Sequence, residues 1–162
     1  ADVTGLVAAL GARPPMLVAR TAADFVRTQN TLADVADLSV PLDPDRDYGF
    51  MLFLCYRSAS VGCGLSLTLD GPAVPAGLAP GWDSGIQTVA GPSTSAVQHK
   101  AQVVADALHT TASVDVANAT RFARCAGVWP VGAARGNLRC RLASEVNGTE
   151  VKVLRGSWLL AF

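Results

Sequence analysis

The sequence is poor in charged residues, and its charges cancel. Of 162 residues only 16% are charged, and 13 basic side chains offset 13 acidic ones. In a typical globular domain, about a quarter of the residues are charged. Zero net charge removes the usual electrostatic basis for binding nucleic acid or an acidic membrane surface, so we expect neither partner. Half of the residues are apolar. We therefore expect that both faces of the sheets are covered or that surface is buried against other subunits.

Long hydrophobic runs and catalytic signatures are absent from the sequence. The longest strongly apolar run lies near Phe50–Tyr56, far short of the 18 or more residues of a membrane-spanning helix. No basic region precedes the first apolar residues, so we expect no secretory signal. Nucleophile-elbow, phosphate-loop and dinucleotide-binding motifs are missing. We expect no enzyme and no cofactor. Asp70 and Asp83 would suit a glycosidase only if they faced each other across a cleft.

The metal-binding residue types are few and badly spaced for a metal. The histidines, His99 and His109, lie ten residues apart, and no two cysteines form a C-x2-C pair. We therefore expect no zinc site. Asp43, Asp45 and Asp47 resemble the start of a calcium loop, but the later glycine and glutamate positions of that loop are occupied by tyrosine and leucine. A polar turn is the better interpretation.

The four cysteines allow two disulfides. Cys125 and Cys140 lie symmetrically about residues 132–133 and would face each other in a regular hairpin centred there. Opposed residues have Cβ atoms about 4.5–5.5 Å apart, and a disulfide needs about 3.8 Å. Cys55 and Cys63 flank a shorter turn and could also face each other. The alternative is four reduced thiols in the core, since cysteine is among the most buried residue types.

Short strands separated by turns dominate the chain after residue 15. Pro41 predicts that the strand ending at Leu42 lies at a sheet edge or ends there. Asn147-Gly148 is a strong hairpin signal. The pattern predicts an all-β domain over residues 16–162, a β-sandwich or jelly roll. Its clearest strands are Tyr48–Tyr56, apolar on both faces and so expected to be covered on both, Cys63–Asp70, Arg121–Trp129 and Asn137–Ser144.

Three segments leave alternatives open. Residues 1–15 predict an N-terminal arm whose Leu6 and Leu10 dock on a partner, because the apolar stretch is too short to hold a helix alone. Residues 97–108 have helical spacing and predict one short helix, or else a strand. Residues 71–92 predict long loops with one short strand at 86–90. Trp82 within these loops either covers the core or contacts a partner.

Arg139 and Arg141 alternate with Leu138, Cys140 and Leu142, and so belong to the opposite face of their strand. The simpler interpretation is a solvated outer face. The alternative is a subunit contact, because arginine is enriched at interfaces.

Four stretches of the chain carry a resemblance to a known family: Thr31–Leu42 with Tyr48–Phe50, Gly64–Pro72, Gly136–Val146 and Val151–Trp158. Over roughly residues 28–162 they resemble a small β-structured domain of virion proteins from tailed bacteriophages. Ala1–Leu6 with Ala9-Leu10 resembles connector segments of phage fibre proteins.

The resemblance implies a non-enzymatic structural protein, assembled in the host cytoplasm and carried on the virion. A capsid decoration (cement) protein or short head fibre is expected, as a homo-oligomer, most simply a trimer, bound to the major capsid protein or another virion protein. The alternative is a tail-fibre or receptor-binding module, in which the loops around Trp82 contact a host glycan.

Overall fold

The computed structural model describes residues 16–90, 95–110 and 114–162. This part of the chain is all-β and contains no helix, and therefore none long and apolar enough to cross a membrane. Its twelve strands are β1 (Leu17–Arg20), β2 (Phe25–Arg27), β3 (Ala33–Leu42), β4 (Asp47–Ser58), β5 (Leu65–Asp70), β6 (Gly81–Ala90), β7 (Ser95–Gln102), β8 (His109–Thr110), β9 (Arg121–Pro130), β10 (Gly136–Ser144), β11 (Val151–Val153) and β12 (Trp158–Ala161).

The strands form two antiparallel sheets with jelly-roll connections. The larger sheet has the order β1-β12-β4-β9-β6-β7, with β11 and β2 paired beside β4. The smaller sheet has the order β3-β10-β5-β8. From β3 to β10 the chain changes sheet at every connection except the hairpin β6–β7, which places four of these strands in each sheet. This alternation is that of a jelly roll, and it confirms the predicted sandwich.

The core lies between the sheets and is built by simple alternation. In β4 every second residue from Tyr48 to Tyr56 is buried, and in β5 the buried leucines are Leu65, Leu67 and Leu69. Trp82 of β6 and Trp129 of β9 stack near one end, with ring centroids 5.7 Å apart. The indole Nε1 of Trp129 donates to the Pro72 carbonyl at 3.0 Å, so the largest side chain of the core keeps a hydrogen-bond partner.

Several sequence expectations are confirmed. Pro41 lies in β3, which is an edge strand of the smaller sheet. Strands β9 and β10 begin and end within one residue of their predicted bounds. Asp43, Asp45 and Asp47 surround a turn in which Asp45 has a φ of 57°, as the polar-turn interpretation requires. The arm of residues 1–15, with Leu6 and Leu10, lies outside the described residues, so its boundary and docking stay predictions.

The helix expected near residues 97–108 is wrong. Residues 95–102 form β7, a turn follows in which Asp106 has a φ of 59°, and β8 starts at His109. Residues 96–101 are all exposed, so a helix here would have no buried apolar face to stabilise it. Strand β6 instead offers a free edge whose backbone groups pair with this segment from Trp82↔Gln102 to Ala90↔Ser95.

The hairpin that would have joined Cys125 to Cys140 is also wrong. Strand β9 pairs with β4 and β6 in the larger sheet, whereas β10 pairs with β3 and β5 in the smaller one. The connection over residues 131–135 therefore crosses between the sheets. Asn147-Gly148 forms the predicted turn, with Gly148 at a φ of 86°, but it too joins strands of different sheets rather than a hairpin.

Candidate protein-interaction face

The outer face of the smaller sheet is polar and internally paired. Arg139 bonds Asp34 at 3.1 Å and Asp70 at 2.5 Å, and Arg141 bonds Asp34 at 2.9 Å and Asp106 at 2.6 Å. The hydrogen bond that Arg141 donates to Asp106 raises the pKa of Arg141. Both guanidinium groups thus point away from the core, as their alternation predicted. Both form ion pairs with aspartates of the same chain. Their role in a subunit contact stays a prediction.

The outer face of the larger sheet is different, because it carries a row of aromatic rings across three strands. Phe53 of β4 lies between Phe122 of β9 and Trp158 of β12, with ring centroids 5.4 Å and 5.9 Å away. The register Trp158↔Phe53 and Cys55↔Phe122 places these side chains on one face. All three rings are at least partly exposed.

Other large apolar side chains extend this row. Met51 is 44% exposed, Phe122 47% and Val128 51%. The register places Met51 beside Leu160 and Ala126 on the outer side of the sheet. Isolated exposed apolar residues are ordinary, but a contiguous group marks an interaction surface. We call this group the apolar face, and define it by Met51, Phe53, Val97, Phe122, Val128 and Trp158.

Two shallow depressions cross the apolar face, with volumes of about 350 and 390 Å³. Phe53 and Arg124 line both of them. Asp83 lines the second depression and lies 3.5 Å from the Nδ1 atom of His99. Arg124 makes no ion pair with any residue that the structure describes. One unpaired cation and one loosely held anion therefore sit among apolar side chains.

The expectation that Tyr48–Tyr56 is covered on both faces is wrong for the part of the chain that the structure describes. Leu52 and Leu54 point into the core and are buried, whereas Met51, Phe53 and Cys55 point outward and keep exposed surface. The apolar residues of the outer face are the feature that the sequence analysis missed. The available signal was the apolar character of both sets of alternate positions in this one strand.

Trp82 is not available to a partner. It belongs to β6, which begins five residues earlier than the predicted short strand, and its side chain is only 4% exposed against Trp129. The interpretation of Trp82 as a cover of the core is confirmed, and its place among the interface residues is wrong. An inward position in β6 explains both, because Trp82, Ser84 and Ile86 all face the core.

The two carboxylates considered for a glycosidase do not face each other. Asp70 lies on the outer side of the smaller sheet beside Arg139, and Asp83 lies on the outer side of the larger sheet. The sandwich core separates them. Among the described residues, no three histidine, cysteine or acidic side chains come together as a metal site.

A buried serine–histidine pair is the nearest approach to a nucleophile in the described residues. Ser84 Oγ lies 2.7 Å from His109 Nδ1 and donates to the Lys100 carbonyl at 3.1 Å. With the hydroxyl proton on that carbonyl, Ser84 Oγ accepts from the Nδ1–H tautomer of His109, and in that arrangement the imidazole is a donor rather than a base. Both side chains are less than 5% exposed. The pair is a buried cross-link between β6 and β8.

All four cysteines are free thiols. Cys125 and Cys140 are buried in the core from opposite sheets, and burial raises the pKa of each thiol. Cys63 is buried, with its Sγ 3.1 Å from Ser144 Oγ. Cys55 is the least buried, and its register partner is Phe122 on the outer side of the larger sheet. Burial also raises the pKa of Cys55.

No family model and no curated protein matches this chain. Among solved structures, the Eiger TNF of S. frugiperda is similar at 14% identity, with 90% of this chain and 89% of that chain covered and a TM-score of 0.41. A chain in the structure of infectious bursal disease virus Gt strain is similar at 13% identity, with a TM-score of 0.28. This protein covers 40% of that viral chain. No property of either protein is carried over to this one.

Proposed function

We propose that this chain is a non-enzymatic structural protein of a bacteriophage virion, which binds the assembled shell as a capsid decoration (cement) or short head-fibre protein. The observation that carries the proposal is the apolar face on the larger sheet of a jelly-roll sandwich, a surface suited to assembling copies of the chain into a structural oligomer. Six large apolar side chains stand there on rigid strands, which suits protein contact. The sequence resemblance to phage virion domains supplies the setting.

Stabilisation of the shell would follow from mass action. A protein that binds the assembled shell and not the dissociated subunits shifts the equilibrium toward the shell. The sandwich suits this task because its strands are held by pairing on both sides across β4, β9 and β10. A preformed surface loses little conformational entropy when it binds.

The alternative, a receptor-binding module whose loops contact a glycan, has less support in the loop geometry. Trp82 is in the core, and the remaining depression near these loops, about 400 Å³, is lined mainly by apolar side chains such as Leu78, Val103 and Val104. Specific sites need a few precisely placed polar groups to orient their ligand. A tail location is therefore a possible outcome when the protein is located on purified particles, and it is not a second proposal.

The test is to locate the protein on purified particles that carry its gene. Antibodies raised against the recombinant chain should label the shell in electron micrographs. Particles made without the protein should break open at lower temperature, and adding the recombinant chain should restore their stability. Label at the tail would favour the receptor-binding alternative. Particles that carry no label and lose no stability would refute the proposed function.

A further inference from the structure

We propose that the apolar face of the larger sheet is the docking surface for a second copy of this chain. The inference rests on the proposed function only in that a virion subunit works as an oligomer, and it names the surface and the side chains that make the contact. The occupant is an identical face on another copy, related by a two-fold rotation, so that each face both gives and receives the same contacts and the copies join in pairs.

The contrast between the two outer faces is the first argument. The smaller sheet satisfies its outer charges internally, through the pairs of Arg139 and Arg141 with three aspartates. The larger sheet instead leaves Met51, Phe122 and Val128 between 44% and 51% exposed. The outer side of the larger sheet thus carries contiguous apolar side chains where the outer side of the smaller sheet carries paired charges, and depletion of charge is typical of an interface core.

The size of the face is the second argument. The apolar face has its members on β12, β4, β9 and β7, and the outer side of the sheet that carries it also includes β6. Five strands about 4.8 Å apart, each contributing roughly eight residues of about 3.3 Å, project an area of about 600 Å². A stable interface of standard size buries about 800 Å² of accessible surface on each partner. Side chains standing above the sheet add to the flat projection, so the face has the area that a specific contact needs.

Charge complementarity is the third argument, and it points to a second copy. Arg124 has no ion-pair partner among the described residues, and Asp83 is held only by His99 at 3.5 Å. Both line the same depression. A rotation axis through the face can bring Arg124 of one copy to Asp83 of the other. The chain has no net charge, so two copies approach without overall repulsion.

Sedimentation of the full chain at micromolar concentration tests the proposal. The wild-type protein should run at twice the 16.7 kDa of the single chain or at an even multiple of it. Met51→Glu should weaken association at least about a hundred-fold, since it buries an unpaired charge in the contact. The matched control is Asn137→Glu, which adds the same charge at an exposed site on the smaller sheet and should leave the oligomer intact. Circular dichroism checks that both variants fold.

A charge exchange tests the self-complementary pair. Arg124→Asp and Asp83→Arg should each weaken association, and the double variant should recover most of it. A single variant that associates like the wild type would exclude this pairing. As a second readout, alkylation of Cys55 should be slower in the wild-type oligomer than in Met51→Glu, because its register partner Phe122 lies within the contact.

The outcomes separate this inference from the proposed function. A wild-type monomer, or a Met51→Glu variant that stays oligomeric, would overturn the docking surface whatever happens on particles. An oligomer that Met51→Glu dissociates, combined with absence from virions, would support the docking surface and refute the proposed function. Equal weakening by Asn137→Glu would show that added charge alone, rather than this face, controls association.

Discussion

Arg121 points its guanidinium into the interior, where Nε donates to the backbone carbonyl oxygen of Thr88 at 3.0 Å. The same group donates to the carbonyl oxygens of Ala119 at 2.9 Å and Val116 at 2.7 Å, and it pairs with Asp115. The Arg121 side chain is wholly buried. It therefore fastens the loop before β9 to strand β6 by several charge-assisted hydrogen bonds.

Replacement of Arg121 by methionine should destabilise the fold by about 3 kcal/mol, because the carbonyls of Thr88, Ala119 and Val116 each lose a charged donor and Asp115 loses its ion-pair partner. Urea unfolding followed by fluorescence measures the effect. Arg155→Met is the matched control, since Arg155 is exposed, and it should change stability by less than about 0.5 kcal/mol. Equal effects of the two substitutions would show that the buried hydrogen bonds of Arg121 do not stabilise the fold.

A second stability prediction concerns the close approach of β9 to β6. A Cβ atom added to Gly127 would lie 2.2 Å from the Gly81 carbonyl oxygen, and this backbone atom cannot rotate away as a side chain could. Gly127→Ala should cost about 3 kcal/mol or prevent folding. In Gly81→Ala the new methyl group meets nothing within 4 Å, so stability should stay level or rise by about 0.5 kcal/mol. Thermal unfolding measures both variants. A Gly81→Ala variant less stable than Gly127→Ala would contradict this packing.

The sequence predicted individual strands well, because alternation directly reports a strand with one buried face. Leu65, Leu67 and Leu69 are the clearest case. Alternation does not report which sheet a strand joins. Cys125 and Cys140 are symmetric about a connection that crosses between sheets, and nothing local distinguishes such a connection from a hairpin. The glycine and proline residues around Trp82 predict a loop, although this segment pairs with a sheet edge as strand β6.

The apolar face could not be predicted from the sequence, for a related reason. Met51 and Phe53 alternate with the buried Leu52 and Leu54, so the whole run is apolar. Such a run suits a strand covered on both faces by its own chain, and it suits equally a strand covered on one face by another copy. Only the fold shows that residues 16–90, 95–110 and 114–162 leave the outer side open. The low charge content indicates that surface is buried in an assembly, but composition does not show where on the molecule that surface lies.

Thiol reactivity offers a third prediction. Of the four cysteines, Cys55 is half-buried and the other three are buried. Since the thiolate is the reacting form, burial that raises the pKa of Cys125 and Cys140 suppresses their reaction as well as their access. Brief alkylation of the native protein should modify Cys55 first and leave the others until urea is added. Mass spectrometry of the digest identifies the sites. Early modification of Cys125 or Cys140 would contradict their place in the core.

His109 makes the stability of the fold depend on pH near neutrality. Its side chain is buried, and burial lowers its pKa below 6.5, with the nearby charge of Lys100 acting in the same direction and Asp83 opposing it. At pH values below the pKa that this histidine has in the unfolded chain, the unfolded chain therefore binds a proton more readily than the folded chain. The stabilisation is fully present above about pH 6.5 and is lost as the pH falls below it, by at most about 1.4 kcal/mol per pH unit.

His109→Asn isolates this contribution. Asparagine cannot take up the proton, and its amide can replace Nδ1–H as the donor to Ser84 Oγ. Urea unfolding between about pH 8 and pH 5, at one protein concentration, should show the wild type losing more stability than the variant, with the difference opening below about pH 6.5. Parallel curves would mean that His109 is free to take up its proton in the folded state, and the buried Ser84–His109 contact described here would then be wrong.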